Sequence, residues 1–169
     1  MFQRLFLLGA LAFACVANVG CGDEKRPDGF PEVAECSIKI LQEGAPLEGA
    51  QVNLVAQDPA LMRWGCGGIT NADGVVELRT NGYPGAPVGS FKVVVMKTET
   101  IGGAQTPEET QRQMEGENFG AEETFDLIAP QYRDQTQTPL TLEVKAGKNE
   151  TQEFDVGAPI REPIRMPGS

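Results

Sequence analysis

Four cysteines and no histidine define the chemistry open to this 169-residue chain. Without imidazole there is no Ser-His-Asp triad, no histidine-bound zinc and no side chain whose ordinary pKa lies near neutrality. Cys15 lies inside an apolar stretch and Cys21 follows it, which leaves Cys36 and Cys66 as the thiols of the folded portion. In an oxidising compartment such a pair suggests one disulfide, whose loop of about 31 residues would contribute roughly 3.5 kcal/mol on the chain-entropy account. Two buried free thiols are the alternative. The spacing is not Cys-x-x-Cys, so redox catalysis is not indicated. Trp64 and Tyr83 are the candidate ligand contacts, since loop aromatics stack on sugars or peptides, with core capping as the competing role.

Other constellations fail on spacing. Asn71, Ala72, Asp73 and Gly74 could open a calcium loop, but an EF-hand register would put Val75 and Gly82 where ligands are needed. A tight turn is the better reading. Acidic residues cluster between Glu108 and Asp126, as expected of a solvated connection, with weak cation binding as the lesser alternative. There is no Gly-x-Ser-x-Gly elbow and no phosphate-binding loop. No catalytic residue, metal ligand or cofactor is therefore assigned.

The N-terminal segment carries an address. Arg4 precedes an apolar run over residues 5–17 (LFLLGALAFACVA), of signal-peptide length and short for a bilayer span. Gly20 and Cys21 follow, then the polar stretch GDEKRPDGFPE over residues 22–32. This order resembles a bacterial lipoprotein signal with Cys21 as the acylated first residue of the mature chain, although Asn18 stands where such motifs usually carry leucine. An ordinary cleaved signal peptide is the alternative. The resemblance implies a leader over residues 1–20, lipidation of Cys21, a flexible tether over residues 21–33, and an extracytoplasmic domain held on a bacterial membrane of the cell envelope.

The whole chain carries −10 at neutral pH. An acidic balance of this size argues against a nucleic-acid partner, because phosphate binding needs a basic face. It also argues against electrostatic docking to anionic lipid. The partners expected are the membrane, through the N-terminal lipid, and an envelope protein or glycan whose identity the sequence does not give.

The elements that must position these residues are short strands. Residues 34–41 alternate, with Cys36, Ile38 and Ile40 on one face and Ser37 and Lys39 on the other, which is strand periodicity. Ala50, Val52, Leu54 and Ala56 form a second inward set. Residues 69–79 read as a hairpin around Gly74. Residues 90–97 are apolar on both faces and predict a central strand. Thr106, Pro107 and Glu109 predict a capped helix ending near Met114. Leu140, Leu142 and Val144 predict a strand, and Gln152, Phe154 and Val156 one that pairs back on it. The sum is an all-β domain over residues 34–157, a seven-stranded antiparallel Ig-like sandwich with one long partly helical connection at 98–138. A disordered tail is expected over residues 158–169.

The segments "APLEGAQVNLV", "GGITNADGVVELRT", "GAPVGSFKVVV" and "IAPQYRDQTQTPLTLEVKAGKNETQEFDV" occur in an order that resembles small bacterial lipoproteins with a carboxypeptidase regulatory-like, or transthyretin-like, domain. The resemblance is strongest from Gly68 to Leu78. It implies a prealbumin-like sandwich that accompanies a catalytic domain elsewhere and is not itself an enzyme. No catalytic residue carries over.

Overall fold

The computed structural model describes residues 26–164. Residues 26–30 belong to a short N-terminal unit. They make a turn closed by the Phe30 N–H to the Pro27 carbonyl at 3.1 Å, with the Arg26 guanidinium 5.4 Å from the Phe30 ring centroid. Cys21 and residues 1–20 lie outside the described residues.

From residue 31 onward the chain is predominantly antiparallel β-structure. The strands are β1 (Val33–Ala34), β2 (Ser37–Gln42), β3 (Ala45–Pro46), β4 (Gln51–Ala56), β5 (Cys66–Ile69), β6 (Val75–Glu77), β7 (Arg79–Thr80), β8 (Tyr83–Pro84), β9 (Ala86–Pro87) and β10 (Gly89–Met96). There follow β11 (Thr98–Ile101), the helix α1 (Pro107–Met114), β12 (Glu123–Asp126), the single turn α2 (Pro130–Arg133), β13 (Thr141–Val144), β14 (Gln152–Asp155) and β15 (Glu162–Pro163). The largest sheet has the order β13-β10-β4-β5-β7-β8. A second has the order β14-β2-β3 with β6 also on β2, a third β11-β12-β15, and β1 pairs with β9. The all-β class holds. The architecture is more divided than a seven-stranded, two-sheet sandwich, because short strands and a separate three-stranded sheet are added.

Period-two patterning explains the core. Ile38 and Ile40 are fully buried on β2, while Ser37 and Lys39 are half-exposed. Val52, Leu54 and Ala56 are buried on β4. On β10, Phe91, Val93 and Val95 face Ala56, Leu54 and Val52 across the ladder, and Phe91 faces Leu142 on the other side. Burying side chains of this size contributes about 1.5–3 kcal/mol each. Val94 is buried as well, so β10 is central and covered on both faces, as its composition predicts.

Two expected hairpins are corners instead. Asn71 closes the turn at residues 71–75, its Oδ1 accepting from the Asp73 and Val75 N–H groups at 3.0 and 2.9 Å. The arms then part: β5 pairs with β4 and β7, whereas β6 pairs with β2. Gly74, at φ +73°, sits where a Cβ would come within 2.5 Å of the Ile40 carbonyl oxygen, so the close approach of the corner to β2 requires glycine. Likewise β13 pairs with β10, while β14 crosses to the other sheet and runs parallel to β2. Alternation reports which face of a strand is buried, and leaves its neighbour unspecified.

The 98–138 connection is partly helical, as expected, and it also contributes strands. Thr106 Oγ1 accepts from the Glu109 N–H at 3.2 Å and Glu109 Oε2 from the Thr106 N–H at 2.9 Å, a reciprocal capping box. Nothing on α1 is buried. The turn α2 packs on β10. In place of the disordered tail expected after residue 157, residues 160–164 return to this region. β15 pairs with β12, the Ile164 N–H reaches the Thr124 carbonyl at 2.8 Å, and Arg133 bridges Asp126 and Glu162. Residues 165–169 lie outside the described residues.

Candidate functional site

The sequence candidates fall in two places. Trp64 ends the loop after β4 and Tyr83 opens β8, and both are half-buried. The Arg63 guanidinium lies 4.9 Å from the Trp64 ring centroid, a cation–π stack on the indole face. The two loops are tied together by Asn81. Its N–H donates to the Gly65 carbonyl at 2.8 Å and its Oδ1 accepts from the Gly65 N–H at 3.0 Å. Asn81 and Gly82 both have positive φ, 48° and 89°, so they form the two-residue turn between β7 and β8. Asn81 was not singled out from sequence. The Asn-Gly pair was the signal available, hidden within a run of turn-forming residues from 81 to 89.

The disulfide expected between Cys36 and Cys66 is corrected: both are free thiols, and both are buried. Cys66 sits on β5 between Leu54 of β4 and Thr80 of β7. Cys36 leads into β2 of the other sheet, with its carbonyl accepting from the Leu78 N–H at 3.2 Å. Sequence spacing gives the size of a closed loop but not the facing of two Cβ vectors, which a disulfide demands. Burial pushes the Cys66 thiol up to about 11, against a smaller downward effect of the Thr80 hydrogen bond and with a further upward one from Cys36. Burial also raises Cys36. Neither supplies a thiolate at neutral pH, so neither is poised as a nucleophile.

Cys36 marks a second feature. It lines two neighbouring cavities of about 420 and 340 Å³, which also share Lys148 and Asn149. The first takes in Glu35, Ser37, Glu77 and Thr151 at the starts of β2 and β14 and the end of β6. The second takes in Leu142, Glu143, Lys145, Glu150 and Gln152, and therefore lies between β13 and β14. Asn149 builds the turn that joins those strands. Its Oδ1 accepts from the Lys145 N–H at 2.9 Å, and its Nδ2 donates to the Lys145 carbonyl at 2.9 Å and to the Glu35 carbonyl at 3.3 Å. Ser37 and Thr151 hydroxyls meet at 2.7 Å across the parallel pair. The cleft thus offers carboxylates, ammonium groups and strand-edge backbone, the equipment of a binding surface. Sequence reasoning did not reach it, because residues 114 positions apart build it.

The acidic residues of the connection are shared out rather than pooled: Glu109 caps α1, Glu117 pairs with Arg112 at 3.4 Å, and Asp126 pairs with Arg133. Among the described residues no three or more acidic, thiol or imidazole side chains are grouped to hold a metal ion. Among them also, no helix is long and apolar enough to cross a membrane. No family model matches this sequence, and no curated protein or solved structure matches it either.

Proposed function

We propose that this chain is a non-enzymatic, lipid-anchored extracytoplasmic β-domain that serves as a binding or structural module of a bacterial cell envelope. The observation that carries the reading is the order of the first 32 residues: a basic start, an apolar run, Gly20 and Cys21, then a polar stretch. Support comes also from the compact β-rich domain that follows and from a cleft lined by polar and charged groups. The test is the intact mass of the protein recovered from a bacterial membrane preparation. A chain beginning at Cys21 with added diacylglyceryl mass is the expected result, and Cys21→Ser should move the protein to the soluble fraction. A lipid-free mature chain would overturn the anchoring.

A second reading, a carbohydrate- or peptide-binding module using Trp64 and Tyr83, is favoured by one observation: Asn81 ties the loops that carry them. Loss of glycan-array or peptide-array binding in Trp64→Ala is its expected outcome, and intact binding would count against it.

A further inference from the structure

The cleft between β13 and β14 has an unusual border. Among the described residues β13 is an edge strand, paired with β10 on one side only, and β14 is an edge strand, paired with β2 on one side only. Residues of both strands, and of the turn that joins them, line one opening of about 340 Å³. Edges of this kind carry rows of N–H and C=O groups that template a further strand. Here nothing blunts them with proline, and neither strand carries a bulge in its register. Farther along the same strands, beyond the residues that line the opening, Leu140 just before β13 and Phe154 on β14 pack on the core yet stay half-exposed. An extended segment with side chains alternating between two faces would pair with the edge and lay one row of apolar side chains over these two residues. The charges along the joined cavities choose its other row. Glu35, Glu77, Glu143 and Glu150 line the two neighbouring cavities together with Lys145 and Lys148, a net acidic border on an acidic chain.

We propose that this cleft is a strand-addition site for an extended peptide segment of a partner protein, with apolar residues alternating with basic ones. The inference rests on the binding half of the function proposed above and names its partner chemistry. Backbone hydrogen bonds along β13 or β14 hold the segment. Leu140 and Phe154 receive its apolar row, and Glu143 and Glu150 read its basic row.

The test uses the detergent-solubilised full chain and a labelled, end-blocked heptapeptide of alternating valine and lysine, followed by fluorescence anisotropy. Two versions of the peptide are N-methylated, one at odd and one at even residues, because strand addition uses alternate N–H groups. The expected result is binding that falls at least tenfold for at least one N-methylated version and at least tenfold when lysine is replaced by glutamate in the peptide. The double variant Glu143→Lys, Glu150→Lys, both exposed residues, should bind the lysine peptide at least fivefold more weakly with an unchanged circular dichroism spectrum. Hydrogen-exchange protection on binding should appear in β13, residues 141–144, or β14, residues 152–155. Binding of both N-methylated peptides as tight as that of the unmethylated one, protection only elsewhere, or no binding at millimolar peptide would overturn the proposal. Concentration-dependent dimerisation that protects the same residues without peptide would also overturn it, by assigning the edges to a second copy of this chain. The mass measurement that tests the lipid anchor is independent, so failure of either leaves the other readable.

Discussion

Asn81 and Gly65 exchange two hydrogen bonds, backbone N–H to carbonyl at 2.8 Å and side-chain oxygen to N–H at 3.0 Å. The exchange locks the Trp64 loop to the β7–β8 turn. Asn81→Ala removes the side-chain half and leaves an alanine at positive φ. The expected loss is about 1–3 kcal/mol, from a hydrogen bond of about 1 kcal/mol plus the left-handed backbone cost. Asn81→Gly keeps the backbone free and should lose less. Urea denaturation of the three chains checks both the direction and the order.

The carboxylate of Asp155 staples another turn. Oδ2 accepts from the Gly44 N–H at 2.8 Å, and Oδ1 from Gly157 at 2.8 Å and Glu43 at 3.2 Å. These backbone donors, Gly157 first, hold its pKa below the ordinary carboxylate value. A depressed carboxylate stabilises the fold above its unfolded pKa and loses that contribution as pH falls through the folded one. Stability should therefore drop on the acid side below pH 4, and Asp155→Ala should lower the denaturation midpoint at pH 7 while flattening that acid limb. A midpoint difference between the two chains that stays constant from pH 7 to pH 2 would contradict the assignment.

Free, buried thiols make a direct prediction. With both cysteines protonated and covered, iodoacetamide at pH 7 should leave Cys36 and Cys66 unmodified in the native protein. In urea without reductant it should add two carbamidomethyl groups to them. Reductant should leave the denaturation midpoint where it was. Mass spectrometry of residues 26–164 after proteolysis reads the adducts.

The capped helix α1 should behave as a local unit. Thr106→Ala removes the side-chain acceptor of the capping box, at a cost of about 1 kcal/mol to the helix. Because no residue of α1 is buried, the global midpoint should move far less than the amide exchange of residues 108–114. A matched global loss would mean that α1 is coupled to the core.

How much could be read from the residues themselves depends on what each pattern encodes. The alternation in β2, β4 and β13 named the buried faces, and Val94 beside Val93 and Val95 named the covered strand, because both follow from side-chain period alone. The capping residues of α1 named its start for an equally local reason. Pairing was not legible. Residues 69–79 and 140–156 look like hairpins because their strands are consecutive, yet each turn carries the chain from one sheet to the other. The cleft around Asn149 escaped for the same cause, since it joins Glu35 to residues far along the chain. The cysteine pair shows the opposite error: composition suggested a bond that only side-chain direction could decide.

The parallel pairing of β14 with β2 has a consequence for the order of events. Lys39 meets Glu153 at 3.1 Å across 114 residues, so one of the first strands of the domain waits for the last long one. Contacts of this separation must be formed against a large loop-closure entropy and slow the search. Until residues 152–155 are available, the β2 backbone along that side has no strand partner. This sheet is therefore completed only once residues 152–155 have reached β2, however early β2 itself is formed.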